Sequence, residues 1–306
     1  MKKATQPVEP SRELPSSQWE HYQLYKAVRE AISCLPIYFR TETHISGIAA
    51  TDLHTLNTVL GATIEEQVVR TLNLIRKTWD PNEMYVHYSF VRQAQTFPDV
   101  LLRRASTNEI VLGIELKGWY LLAKEAEPSL RFQTTPSACA KQDLIAVVPW
   151  VLGNVISGSP ILFEPFVESA SYAAAYRNYH WQYIREAKHD AGIDVRTGGH
   201  PYPSKSDQIL DMPHSDGGGN FGRLARTGMM DSYMRKLEDV PLCGIKTTYW
   251  RQFLKAFQES TTDEETHAAL ERLRERVQGA TDIASPKAQS AQVIIAELAR
   301  LLDMTE

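Results

Sequence analysis

From Glu109 to Leu122 the apolar side chains Ile110, Leu112, Ile114 and Leu116 recur at every second position, with Gly113, Glu115, Lys117 and Trp119 between them. A period of two is that of a β-strand; on a helix the same residues would scatter around the axis. So long a strand cannot stand alone, because its N–H and C=O groups need partners. Partners are legible on both sides. Met84 to Val91 is aromatic and β-branched, Asp99 to Arg103 is a second run, and Ser106-Thr107-Asn108 supplies the turn into the long strand. Leu144 to Val148, ending near Pro149, and Ile161 to Phe163 are short apolar runs that suit buried central strands.

Helical spacing surrounds these runs. Trp19, Tyr22, Leu24, Tyr25, Val28, Ala31 and Ile32 share one face of a helix that stops before Pro36. Ile64, Val68, Leu72 and Ile75 form the inner stripe of a second helix over 51–77, broken or kinked at Gly61. Further helices are expected over 170–188, 249–260, 264–278 and 288–302. Between Asp190 and Asn220 the chain is rich in Gly, Pro, Ser and Asp; a long loop of this kind inside a domain is usually functional or disordered, and its basic and aromatic residues argue against a mere linker. The expected fold is α/β, a central mixed β-sheet flanked by helices with a helical C-terminal part. Residues 1–17, with Pro7, Pro10 and Pro15, read as a flexible arm; 18–190 form the core with its N-terminal helices. Residues 191–306 form a loop region and C-terminal helices packed on that core as one domain.

Composition narrows the function classes. With 306 residues, 43% hydrophobic and 23% charged, the chain is a globular protein able to fold without staples. A net charge of -4 argues against a surface made basic for indiscriminate nucleic-acid binding, though not against a locally basic cleft. No apolar run is long enough for a bilayer and the first residues are polar, so a cytoplasmic protein without a membrane partner is expected. Cys34, Cys139 and Cys243 are widely spaced and read as buried free thiols.

Asp99, Glu115 and Lys117 carry the chemistry. Phosphodiester hydrolysis uses a cation on hard oxygen ligands beside a cationic group. Glu115 and Lys117 share the polar face of the long strand, and antiparallel pairing across Ser106-Thr107-Asn108 brings Asp99 next to them. Glu186-Ala187-Lys188 repeats the letters on a helical pattern, where residues two apart diverge.

Pro98-Asp99 followed by Glu115-Leu116-Lys117 resembles the PD-(D/E)XK nuclease superfamily, and the order helix, three-stranded meander, crossover and central strand over about 60–166 is similar to its αβββαβ core. The resemblance implies Mg²⁺ held by Asp99, Glu115 and the backbone carbonyl of Leu116, with Lys117 orienting the attacking water. It also implies an acidic residue on the preceding helix, Glu65 with Glu66 as the alternate. Pro128 and Pro136 interrupt the crossover over 118–143, leaving a short helix at Ser137 to Lys141.

Arg223 and Arg226, three apart after Asn220, suit base edges or phosphate oxygens, and Lys205 and Lys124 are further candidate DNA contacts. Trp119 reads as core. His200, His214 and Asp216 lack the spacing of a zinc or HNH site. The expectation is a type II restriction endonuclease, a homodimer cutting double-stranded DNA, for which a DNA methyltransferase acting on the same site would be a cognate partner. The alternatives are a structure-selective or nonspecific repair or defence nuclease of the same fold, and a catalytically inactive DNA-binding protein.

Overall fold

The structure, a computed structural model, describes residues 8–255 except 49, 94–95, 186–190 and 208, with scattered positions from 262 to 275. The helices are α1 (Tyr22–Ser33), α2 (Leu35–Tyr38), α3 (Leu56–Leu74), α4 (Arg76–Trp79), α5 (Ala170–Tyr179), α6 (Asp231–Glu238) and α7 (Thr247–Leu254). The main strands are β1 (Tyr88–Arg92), β2 (Val100–Arg104), β3 (Ile110–Tyr120), β4 (Leu144–Leu152), β5 (Pro160–Leu162) and β6 (Phe166–Ser169). They form one mixed sheet in the order β1-β2-β3-β4-β5, with β6 also paired to β4. The three-stranded meander is antiparallel, β3 runs parallel to β4, and β5 and β6 run antiparallel to β4. The α/β expectation with a central mixed sheet holds.

Four local readings need correction, each for a physical reason. First, Met84 to His87 is a turn, because both oxygens of Asp80 take amides there: Met84 N and Tyr85 N each donate at 2.9 Å. Second, α3 runs unbroken through Gly61, which is buried. A Cβ on Gly118 of β3 would lie 3.5 Å from Gly61 O and 3.8 Å from Gly61 Cα, so the two glycines let helix and strand approach closely.

Third, β4 continues past Pro149 to Leu152. Pro149 O accepts from Phe163 N at 2.9 Å, so its missing N–H faces the junction where β6 gives way to β5 and no ladder bond is lost. Fourth, the run at Ile161 is a short edge strand with Ile161 43% exposed, not a central one. The crossover 121–143 contains only a 3₁₀ turn, Pro136–Ala138.

Pro36 opens α2, as expected of a proline in a first turn. The described part of the N-terminal arm is held to the sheet: Arg12 Nε donates to Glu168 Oε2 at 2.9 Å and Pro15 is buried. Helix α5 passes into a single π turn at His180–Ile184. The described residues among 264–275 are helical, and the expected helix at 288–302 lies outside the described residues.

Among its described residues, the loop after α5 contains only the two-residue strands β7 (Ile193–Asp194) and β8 (Met212–Pro213), and β9 (Pro241–Leu242) and β10 (Ile245–Lys246) make a hairpin between α6 and α7. Arg177, 1% exposed, donates to Asp211 Oδ2 at 2.5 Å, to Phe132 O at 2.7 Å and to Thr134 O at 3.1 Å. Asp211 also accepts from Asn178 Nδ2 and Arg196 N. This buried network, with Thr135 N donating to Ile209 O at 2.7 Å, fastens the loop to the crossover.

Candidate active site

The site is built on the edge of β3. Antiparallel pairing with β2 runs from Ile110 opposite Arg103 to Ile114 opposite Val100 and stops there, because β2 begins at Val100. From Leu116 onward the amides on that edge have no strand partner, and three side chains take them at alternate positions. Leu116 N donates to Asp99 Oδ2, Gly118 N to Glu65 Oε1 and Tyr120 N to Asn57 Oδ1, at 3.1, 3.1 and 3.0 Å. Buried amides must be satisfied, so these side chains do the work of a missing strand.

Helix geometry explains Glu65 and Asn57. Asn57, Gly61 and Glu65 are four apart and fall on one face of α3. That face lies on β3 at the Gly61–Gly118 approach, which brings the Glu65 carboxylate to the strand. Glu66 is exposed, so of the two it is Glu65 that reaches β3. Its oxygens lie 3.7 Å from Lys117 Nζ and 3.7 Å from Arg92 NH2.

Asp99 is positioned by Pro98. A Cβ at Gly113 would come within 2.2 Å of Pro98 Cγ, so the proline ring occupies the space that any other residue at 113 would need. Across β3, Gly113 N donates to Asp143 Oδ1 at 2.8 Å, and Asp143 also accepts from Ala140 N at 2.8 Å and from Tyr202 Oη at 3.0 Å. Each flanking strand is therefore preceded by an aspartate whose carboxylate extends the ladder onto β3, Asp99 before β2 and Asp143 before β4.

Asp99 and Glu115 line one cleft of about 380 Å³, whose opposite wall is formed by Arg131 to Thr134 and by Ser204, Lys205 and Asp207 of the long loop. Burial pushes the Asp99 carboxyl up to about 6; the Leu116 N–H pulls against this, Glu65 adds to it, and Arg92 and Lys117 oppose it. Burial, then the charge of Asp99, raises Glu115 well above the usual carboxylate range. Glu115 Oε2 is buried with no hydrogen-bond partner among the described residues.

Two neighbouring carboxylates that resist shared ionisation, one with an orphaned oxygen, form a donor set suited to a hard dication. The Leu116 carbonyl lies on the same strand edge as its N–H and so faces Asp99. Asp99, Glu115 and that carbonyl are the groups that could hold a cation. Among the described residues no group of three or more His, Cys, Asp or Glu gathers for a metal, and His200, His214 and Asp216 do not converge.

The candidate DNA contacts divide. Lys205 joins the carboxylate cleft, whereas Asn220, Arg223 and Arg226 line a different concavity and Lys124 is exposed beyond the end of β3. Trp119 is buried in the core. Sequence reading missed Asn57, Arg92 and Asp143. Only Asn57 carried a signal, its four-residue spacing to Gly61 and Glu65. No family model, curated protein or solved structure matches the chain.

Proposed function

We propose that the chain is a Mg²⁺-dependent endonuclease of the PD-(D/E)XK class that cuts double-stranded DNA at a specific site. The observation that carries this reading is the pair Asp99, just before β2, and Glu115, on the neighbouring β3, at one cleft, with Lys117 and Glu65 in contact beside them. Bound Mg²⁺ supplies polarisation of the phosphoryl oxygen and a more acidic water.

The residues divide the remaining work. Asp99, Glu115 and the Leu116 carbonyl bind the cation, and Lys117 orients the attacking water and balances charge at the scissile phosphate. Glu65 holds the Lys117 ammonium and the Gly118 amide, and so acts as a positioning residue. Lys205 grips a phosphate across the cleft. The order α3, β1 to β3, irregular crossover and β4 supports the αβββαβ core of this class with a reduced crossover. Because a symmetric site needs one active centre per strand, the working form is a homodimer.

Digestion of plasmid DNA in Mg²⁺ tests the reading. Wild type should yield discrete fragments, and Lys117→Ala and Asp99→Ala should each cleave roughly 10²- to 10⁴-fold more slowly. Unchanged cleavage by both variants sinks the site assignment. A smear favours a nonspecific nuclease, and binding without cleavage favours a DNA-binding protein.

A further inference from the structure

A second concavity of about 220 Å³ is lined by Arg177, His180, Trp181, Arg185, Arg223 and Arg226, and it shares no lining residue with the carboxylate cleft. We propose that this pocket binds a phosphate group. Its charge is one argument. Arg223 and Arg226 share a single oxygen, Glu127 Oε1, at 3.4 and 2.7 Å, so one carboxylate faces two guanidinium groups. Arg177 is matched separately by Asp211. Burial, then the nearby Arg185, pushes the His180 imidazole on the same wall below its usual range.

Hydrogen-bond capacity is the second argument. Trp181 is 5% exposed, and its indole nitrogen is buried with no partner among the described residues. An indole N–H can only donate, so the Trp181 nitrogen wants an acceptor, whereas the Arg177 donors are taken by Asn178, Asp211, Phe132 and Thr134 and Arg226 also donates to Asn220 Oδ1. A buried donor left unmade is costly, and a tetrahedral oxyanion offers acceptors in several directions at once.

The wall is also preorganised. Asp216 holds the loop by accepting from Asn220 N at 2.6 Å and from Phe221 N at 3.3 Å, and Gly222 at φ 86° has Gln133 Cγ 2.8 Å from where a Cβ would lie. Arg177 lies over the Phe221 ring at 4.8 Å and Arg185 over the Trp181 ring at 3.2 Å. The volume falls below the roughly 300–1,000 Å³ of pockets for drug-sized ligands, which suits a compact anion rather than a nucleobase.

Calorimetric titration with inorganic phosphate, in EDTA and low salt, tests the site on the full chain. Wild type should bind, and Trp181→Phe and Arg226→Gln should each weaken binding by about tenfold while circular dichroism shows an unchanged fold. Arg226 is 42% exposed at its side chain, so the second variant keeps the test valid if the first folds poorly. Absence of binding heat by wild type, or both variants binding like wild type, overturns the proposal.

The same variants titrated with duplexes bearing 5′-phosphate or 5′-hydroxyl ends identify the source. Weakening with phosphorylated ends alone assigns the pocket to strand ends, and weakening with both assigns it to internal phosphates. Weakening with inorganic phosphate alone assigns it to the free anion. No arm requires cleavage, so the outcome stands apart from the hydrolytic reading.

Discussion

Two aspartates define the chemistry of the sheet at the scale of single residues. Asp99 and Asp143 each stand one position before a strand and each lend a carboxylate oxygen to an amide of β3. Burial pushes both up to about 6, above the value near 3.8 of an unfolded aspartate. The sign follows from proton uptake. Between about pH 4 and 6 the folded chain binds the extra protons, so stability contributed by these groups is present at low pH and is lost as pH rises through the folded values. For fully buried Asp143 the effect is on the order of 3 kcal/mol.

Asp99→Asn removes one carboxylate from the pair with Glu115. In metal-free urea titrations it should be more stable than wild type by about 1 kcal/mol at pH 7.5 and equal to it near pH 4. Equal stability at both values would mean that burial carries no penalty for the Asp99 charge. Added Mg²⁺ should stabilise wild type more than this variant, because a ligand of the native state stabilises in proportion to its affinity.

At the scale of elements, the site is the consequence of unequal strand lengths. Strand β3 outruns β2, and α3 fills the vacancy with Asn57 and Glu65 while Gly61 and Gly118 permit the approach. Gly113 is the tightest point in this arrangement. Gly113→Ala would drive a methyl into Pro98 and displace Asp99, costing about 1–3 kcal/mol of stability. Cleavage should fall by more than the loss of folded protein accounts for. Thermal melts and initial rates on the same preparation separate the two effects, and a variant with normal activity per folded molecule would show that Pro98 does not position Asp99.

At the scale of the molecule, the Arg177–Asp211 pair decides where the long loop sits and hence what faces the carboxylates. Because the pair is buried, removing one partner strands the other. Asp211→Ala should destabilise by about 3–5 kcal/mol, and replacing both Arg177 and Asp211 with apolar residues of similar size should cost less. Denaturant midpoints of the single and double variants check this; additive losses would argue against coupling. Arg177 also touches the backbone on which the cleft wall is built and lines the second pocket, so the loop, the cleft and that pocket share one support. Among the described residues no helix is long and apolar enough to cross a membrane.

What the amino-acid sequence determined by itself was local and periodic. Alternation from Ile110 to Leu116 specified β3 and the shared face of Glu115 and Lys117, the turn at Ser106-Thr107-Asn108 specified the antiparallel return, and four-residue spacing specified α3. These follow from backbone geometry within one element. Tertiary structure decided what depends on distance between elements. It chose Glu65 over Glu66, gave the free amides of β3 to Asp99, Glu65 and Asn57, and set Lys205 in the cleft while Arg223 and Arg226 went to another pocket. It also turned Met84 to His87 into a loop through Asp80 and carried β4 through Pro149, since a side chain or a neighbouring strand can supply or excuse a hydrogen bond that local propensity alone assigns elsewhere.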